Sequence, residues 1–167
     1  GSHIWRVDLG SAPVQLTSDP NFDDGYPRWS PDGRNISFAR SPANAPQSNS
    51  SLWLMAADGA NPRLLVENAN NPTWAPDSSA LAFGSVIDGR NQLYIFDLTT
   101  KNARRLTDGP GVVPVSVFSP DGKWLIYQSN KAGTMDLWAL PVAGGEPRPW
   151  HKDGINRRWP QFLPDGK

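Results

Sequence analysis

A short motif that occurs four times constrains the fold of this chain more than any other feature. An aromatic residue followed by Ser-Pro-Asp-Gly occurs at Trp29–Gly33 and Phe118–Gly122, with related versions at Trp74–Ser78 and Phe162–Gly166. The aromatic positions are 45, 44 and 44 residues apart. Self-similarity at a period of about 20–50 residues is the signature of a repeat architecture. We therefore expect several copies of one supersecondary unit that pack against each other.

Each repeat contains four short apolar segments, which we label A to D. Segment A ends at the aromatic residue of the motif, and in the third repeat the others are Leu125–Tyr127, Leu137–Ala139 and Arg148–Trp150. Each is rich in aromatic or branched residues and is bounded by turn-forming residues, which is typical of β-strands. The Pro, Asp and Gly of the motif suit a tight turn between A and B. We interpret these aspartates as turn formers.

The spacing between segments separates two fixed connections from two variable ones. Marker residues of A and B are 9 residues apart in all three repeats, and those of C and D are 12 apart. The B-to-C distances are 15, 11 and 11, and the D-to-A distances are 9, 12 and 12. In an up-and-down meander the B–C and D–A loops lie on the same side of the sheet. We call this side the variable face and expect it to carry function, because loops tolerate change and often bind partners.

Four antiparallel strands in about 44 residues are typical of a β-propeller blade. We predict an all-β chain with three complete blades and a part-blade at each end. The complete repeats cover residues 27–66, 72–107 and 115–150, and the blade remnants cover 4–17 and 159–167. Gly1–His3 resemble the remnant of an expression tag. The chain is either part of a longer propeller or a four-bladed ring, and its incomplete blades could associate with a second copy.

Composition narrows the classes of function. The chain has 16 basic and 16 acidic side chains, and this balance argues against direct nucleic-acid binding. It contains no apolar run long enough for membrane insertion. It has no cysteine, and its two histidines are His3 and His151. It contains neither a Gly-x-Ser-x-Gly nucleophile motif nor a phosphate-binding glycine loop. We expect no enzymatic activity, no cofactor, no metal site and no catalytic residue.

The repeat resembles that of TolB-type propellers, which are WD40-like. The resemblance is carried by Phe118–Ser129 with Asp136–Trp138, and by Ser51–Gly59 for the third strand and its turn. It implies a bacterial protein-binding or scaffolding module that is part of a larger protein. Periplasmic or other extracytoplasmic localisation is implied, with a cytoplasmic location as the alternative. The resemblance also implies an alternative function, a propeller that gates substrate for a peptidase whose catalytic domain is not in this chain.

Polar and charged residues near the variable face are the candidate contacts to a protein or peptide partner. In a propeller, the B–C and D–A loops converge at the channel mouth and would present mixed charge there. The candidates are Asp23, Asp24, Arg28, Asn70, Asn71, Arg90, Asn130, Arg157 and Arg158.

Overall fold

The computed structural model of the chain describes residues 1–45, 50–87, 89–150, 155 and 157–162. His151 and the turn at 163–166 lie outside the described residues. The described part contains fourteen β-strands and no helix. The strands are β1 (Trp5–Arg6), β2 (Val14–Gln15), β3 (Phe22–Trp29), β4 (Asn35–Pro42), β5 (Ser51–Ala56), β6 (Arg63–Val66), β7 (Ala69–Trp74), β8 (Ala80–Ile87), β9 (Arg90–Asp97), β10 (Asn102–Arg105), β11 (Val112–Phe118), β12 (Trp124–Ser129), β13 (Asp136–Pro141) and β14 (Arg148–Pro149).

The strands form the predicted blades. Three sheets have four strands each, in the sequential orders β3-β4-β5-β6, β7-β8-β9-β10 and β11-β12-β13-β14, and β1 and β2 form a two-stranded sheet. All pairings with a described register are antiparallel. The predicted segments A to D of each repeat thus become the four consecutive strands of one sheet.

The A–B connections have the turn chemistry expected from the motif. In the first blade, the Gly33 N–H donates to the Ser30 carbonyl at 2.9 Å, and Gly33 has a φ of 70°. The Asp32 carboxylate accepts from the Ser30 hydroxyl at 2.6 Å and from the Arg34 N–H at 3.0 Å. The hydrogen bond from the Ser30 hydroxyl lowers the pKa of Asp32 below its usual range. These contacts confirm that the motif aspartate stabilises the turn.

The second repeat keeps this turn although it lacks two of the motif residues. Ala75 replaces the serine, and the hydroxyl of Ser79 donates to the Asp77 carboxylate at 2.7 Å in its place. Ser78 replaces the glycine and adopts a φ of 63°, in the left-handed region that favours glycine. The turn is therefore preserved at the cost of an unfavourable backbone conformation at Ser78.

The chain divides into two compact units, residues 1–72 and 73–167, with the boundary inside β7. In the first unit, the N-terminal β1–β2 hairpin packs on the β3–β6 sheet. Ile4 is buried together with Ile36, Phe38 and Met55. Gly59 has a φ of 89°, and a Cβ there would lie 3.2 Å from the Leu16 carbonyl oxygen. Glycine at this position therefore permits close contact between the hairpin and the sheet.

The core of the second unit lies between its two sheets. Phe118 and Tyr127 of the third blade are buried with Ala82 and Leu93 of the second blade. Burial raises the pKa of Tyr127 to about 12. The buried Thr107 hydroxyl accepts from the Leu93 N–H at 2.9 Å and donates to the Gln92 side-chain carbonyl at 2.8 Å. This pair of bonds fixes the segment after β10 to the start of the adjacent strand β9.

One predicted strand is wrong. The motif spacing of Phe162 predicts strand A at residues 159–162 of the C-terminal blade remnant, but residues 157–162 contain no strand. The positive φ of Trp159 (57°) and the following proline do not explain this difference, because Tyr26-Pro27 and Asn71-Pro72 share both features inside β3 and β7. A strand is defined by its hydrogen-bonded ladder, and none of the described residues pairs with 159–162. Trp5 in the first unit is 55% exposed, and Trp159 in the second unit is 71% exposed.

Candidate functional site

A polar cavity of about 240 Å³ lies in the first unit, next to β3 and the start of β7. It brings together four of the predicted contact residues, Asp23, Asp24, Asn70 and Asn71. We call it the first-blade cavity. The residues that line it are Ser2, Asp23, Asp24, Gly25, Tyr26, Ala39, Ser41, Ser50, Asn70 and Asn71.

Asp24 lies in the wall of this cavity and forms a buried ion pair with Arg40. Its side chain is 0% exposed, and that of Arg40 is 10% exposed. The two groups form two parallel hydrogen bonds, Arg40 Nε to Oδ1 at 2.6 Å and Nη2 to Oδ2 at 2.8 Å. The hydrogen bond to Asp24 raises the pKa of Arg40. Both oxygens of Asp24 are therefore held by Arg40, and the negative charge of Asp24 is balanced within the fold.

Aromatic rings surround the Arg40 guanidinium. Its carbon lies 5.0 Å from the ring centre of Phe22, 5.4 Å from that of Phe38 and 4.7 Å from that of Trp53. A cation within about 6 Å of a ring face is attracted by the ring quadrupole. The pair with Asp24 is thus enclosed by rings that stabilise the cation and limit access of water.

Asp23 has a different environment from its neighbour. Its carboxylate accepts from the Ser2 N–H at 2.6 Å and from the Ser2 hydroxyl at 3.2 Å, both in an exposed setting. The bond from the Ser2 N–H lowers the pKa of Asp23, so its ionised form is favoured. The Asp24 N–H donates to the Ser2 carbonyl at 2.8 Å. Asp23 and Asp24 of β3 are therefore both hydrogen-bonded to Ser2.

A β-bulge in strand A shapes the cavity. The register of β3 with β4 shifts between Gly25 and Arg28, and Tyr26 has a φ of 53°. Asn71, at the corresponding position of β7, has a φ of 49°. Both residues precede a proline, lie three positions before the motif tryptophan and line the cavity. Bulges commonly redirect a side chain beside a functional site.

The two asparagines are held in place by the adjacent main chain. The Ala69 N–H donates to the Ser50 carbonyl at 2.9 Å, and the Ser50 hydroxyl donates to the Ala69 carbonyl at 3.2 Å. Asn70 and Asn71 follow directly, and both are partly buried. Their side-chain amides offer both donors and acceptors to a bound group.

The other predicted contacts lie outside this cavity. Arg28 is exposed on β3 in the first unit. In the second unit Arg90, Asn130 and Arg158 are exposed. Arg157 forms an ion pair with the buried Asp136 at 3.7 Å, and its N–H donates to the Met135 carbonyl at 2.8 Å.

Six of the ten residues that line the cavity are not among the sequence candidates, and neither is Arg40, which pairs with Asp24. Tyr26 could have been found, because an X-Pro pair recurs three positions before the motif aromatic at Tyr26, Asn71 and Trp159. Arg40 carries no comparable signal, since the equivalent strand positions hold Ser85 and Ser129. The pairing of Arg40 with Asp24 depends on the register between β3 and β4.

Two kinds of feature were not found in the part of the chain that the structure describes. The described residues contain no group of three or more His, Cys, Asp or Glu side chains that could hold a metal ion. Among them there is also no helix of sufficient length and hydrophobicity to cross a bilayer.

Comparison with known proteins decides the family. The model of the TolB beta propeller domain matches residues 66–167, which is more than half of the chain. The chain belongs to the TolB β-propeller family. Its fold is similar to the crystal structure of TolB from Acinetobacter baumannii, with a TM-score of 0.79 and 21% identity over 95% of this chain and 39% of that one.

Relatives of this TolB-family chain include peptidases. It is 33% identical to the uncharacterized peptidase YuxL of Bacillus subtilis, over 81% of this chain and 26% of the relative. In fold alone the chain is also similar to a puromycin-hydrolyzing peptidase of Mycobacterium tuberculosis, with a TM-score of 0.80 at 16% identity, over 99% of this chain and 31% of that one. The chain spans between about a quarter and a half of the length of the curated relatives it matches.

Proposed function

We propose that this chain is a non-catalytic module that binds an extended segment of a protein or peptide partner at the first-blade cavity. The observation that carries the proposal is the convergence of Asp23, Asp24, Asn70 and Asn71 on one concave polar surface. The sequence predicts that these residues lie near the variable face. Membership of the TolB family supports the proposal.

The size and chemistry of the cavity favour a side chain over a free small molecule. Pockets for small molecules usually measure about 300–1,000 Å³ and are mainly apolar. The first-blade cavity measures about 240 Å³ and is lined largely by carboxylate, amide and hydroxyl groups. Such groups can pair with the main chain of a peptide and with one or two of its side chains.

Selection of peptides on the purified chain tests this proposal. We would select linear peptides from a displayed random library and measure their affinity by isothermal titration calorimetry. The test variant is Asn70→Ala with Asn71→Gly, since glycine tolerates the positive φ at position 71. The control is Asn130→Ala, which removes an exposed asparagine side chain outside the cavity.

We expect selected peptides to bind the control as they bind the original chain, and to bind the cavity variant about tenfold more weakly, a loss of about 1.4 kcal/mol. Unchanged affinity for the cavity variant, or failure to select any peptide, would refute the proposed site. The same samples should hydrolyse neither the peptides nor chromogenic esters.

We also propose a cellular location and self-association for the module. As a TolB-family chain it would belong to a larger bacterial protein in the periplasm or another extracytoplasmic compartment. The exposed Trp5 and Trp159 support self-association through the incomplete blades. Sedimentation velocity over a range of concentrations would test this, and a monomer at all concentrations would contradict it.

Similarity to YuxL favours a second candidate function, substrate gating for a peptidase domain. In that case the first-blade cavity would contact substrate on its way to a separate catalytic domain. The parent reading frame distinguishes the two functions. A hydrolase domain with a Gly-x-Ser-x-Gly nucleophile motif would support the gating function and contradict the scaffold function.

A further inference from the structure

The side-chain charges that line the first-blade cavity do not balance. Two ionised side chains line it, and Arg40 neutralises one of them, Asp24, through two hydrogen bonds. No lysine, arginine or histidine belongs to the described lining. The Asp23 carboxylate therefore gives the lining side chains a net negative charge, which the N-terminal ammonium of Gly1, outside the lining, only partly offsets. A bound group of opposite charge would complement it.

Tyr26 supplies the second element of a cation site. It lies at the β-bulge and lines the same cavity as Asp23, and the residue is 51% exposed. Aromatic faces attract cations, and guanidinium groups also stack on them. A carboxylate and an aromatic ring thus lie beside the same small cavity.

The first unit also contains a cation that is held by a carboxylate together with aromatic rings. Asp24 and three aromatic rings hold the guanidinium of Arg40 through two hydrogen bonds and contacts of about 5 Å. Arginine suits such a site better than lysine, because its planar fork matches a carboxylate and its face stacks on a ring.

We propose that the first-blade cavity binds the guanidinium of an arginine side chain from the partner segment. Asp23 is the counter-ion, Tyr26 provides the stacking surface, and the Asn70 and Asn71 amides contact the adjoining main chain. The Asp24–Arg40 pair fixes β3 behind the site. This inference rests on the proposed function and specifies the chemistry of its ligand.

Titration of the ¹⁵N-labelled chain with N-acetylarginine amide tests this inference without a known partner. N-acetylcitrulline amide is the matched neutral probe, since it replaces the guanidinium by a urea group of the same shape. Nα-acetyllysine amide, which keeps its ε-ammonium group, tests the preference for a guanidinium over an ammonium group. Amide chemical shifts report both the affinity and the location of binding.

We expect arginine amide to shift the signals of residues 23–26 and 70–71 with a dissociation constant in the millimolar range, about 4 kcal/mol of binding. Citrulline amide should leave these signals in place. Asp23→Asn should weaken arginine binding about fivefold. Tyr26→Leu should weaken it by about twofold to fivefold. Asp8→Asn removes a charge in the same unit outside the cavity lining and should have no effect.

The spectrum of each free variant shows whether it is folded, and Tyr26→Leu tests the site independently if Asp23→Asn disturbs the Ser2 contact. Equal shifts with citrulline or lysine amide, shifts confined to other residues, or no shifts would each overturn the assignment. If peptides bind the cavity without containing arginine, this inference fails and the proposed function stands. If arginine amide binds but no peptide is selected, the proposed function fails alone.

Discussion

Replacing Asp24 by asparagine should strongly destabilise the first unit. The substitution keeps the size of the side chain but removes the charge that balances Arg40, whose side chain is 10% exposed. Loss of one partner from a buried pair costs about 3–5 kcal/mol, because the other charge is left buried and uncompensated. Total stabilities are about 5–15 kcal/mol, so this is a large part of the whole. In a chain of this size, each kcal/mol corresponds to about 2–4 °C in Tm.

Urea denaturation followed by tryptophan fluorescence measures this effect. The control is Asp24→Leu combined with Arg40→Met, because apolar replacement of both partners is often neutral or stabilising. We expect the double variant to recover most of the loss seen in Asp24→Asn. A cost below about 1 kcal/mol for Asp24→Asn would refute the reasoning, since that is the value of a solvated surface pair.

Three further predictions concern the turns and the strand ends. Ser78→Gly should stabilise the chain by about 1 kcal/mol, because glycine removes the cost of the left-handed conformation; an unchanged urea midpoint would contradict this. Thr107→Val should cost about 1–3 kcal/mol by leaving the buried Leu93 N–H without its acceptor, whereas Thr107→Ser should cost less. The pKa values of Asp32, Asp77 and Asp121 are lowered from 3.8, so their stabilisation is present above that pH and is lost as the pH falls through the folded-state values. Replacing all three by asparagine should flatten the acid limb of stability against pH, and an unchanged slope would contradict this.

The sequence predicted the fold because the repeat is encoded by local signals. Turn residues and apolar segments recur at fixed distances, and the hydrogen bonds of Ser30 and Asp32 follow from their order in the motif. The same pattern failed at 159–162, although Phe162 has the motif spacing. There none of the described residues pairs with the segment, although Trp159 has the same positive φ as Tyr26 in β3 and Asn71 in β7. Local spacing does not specify whether a neighbouring strand is present to pair with.

The site could be predicted only in part. The variation in loop length predicts that Asp23 and Asn71 lie near the variable face, and both line the first-blade cavity. The sequence could not distinguish Asp23 from its neighbour Asp24, which faces Arg40 across the β3–β4 pairing. That difference arises from strand register and a bulge, which are properties of the assembled sheet.

Mapping where a selected peptide binds tests the central claim most directly. Hydrogen exchange of backbone amides, measured with and without the peptide, locates the contact on the intact chain. The account predicts added protection at residues 22–26, 39–41 and 69–71, and little change around Arg157 and Arg158. Protection centred on residues 157–159, with none around the first-blade cavity, would contradict it.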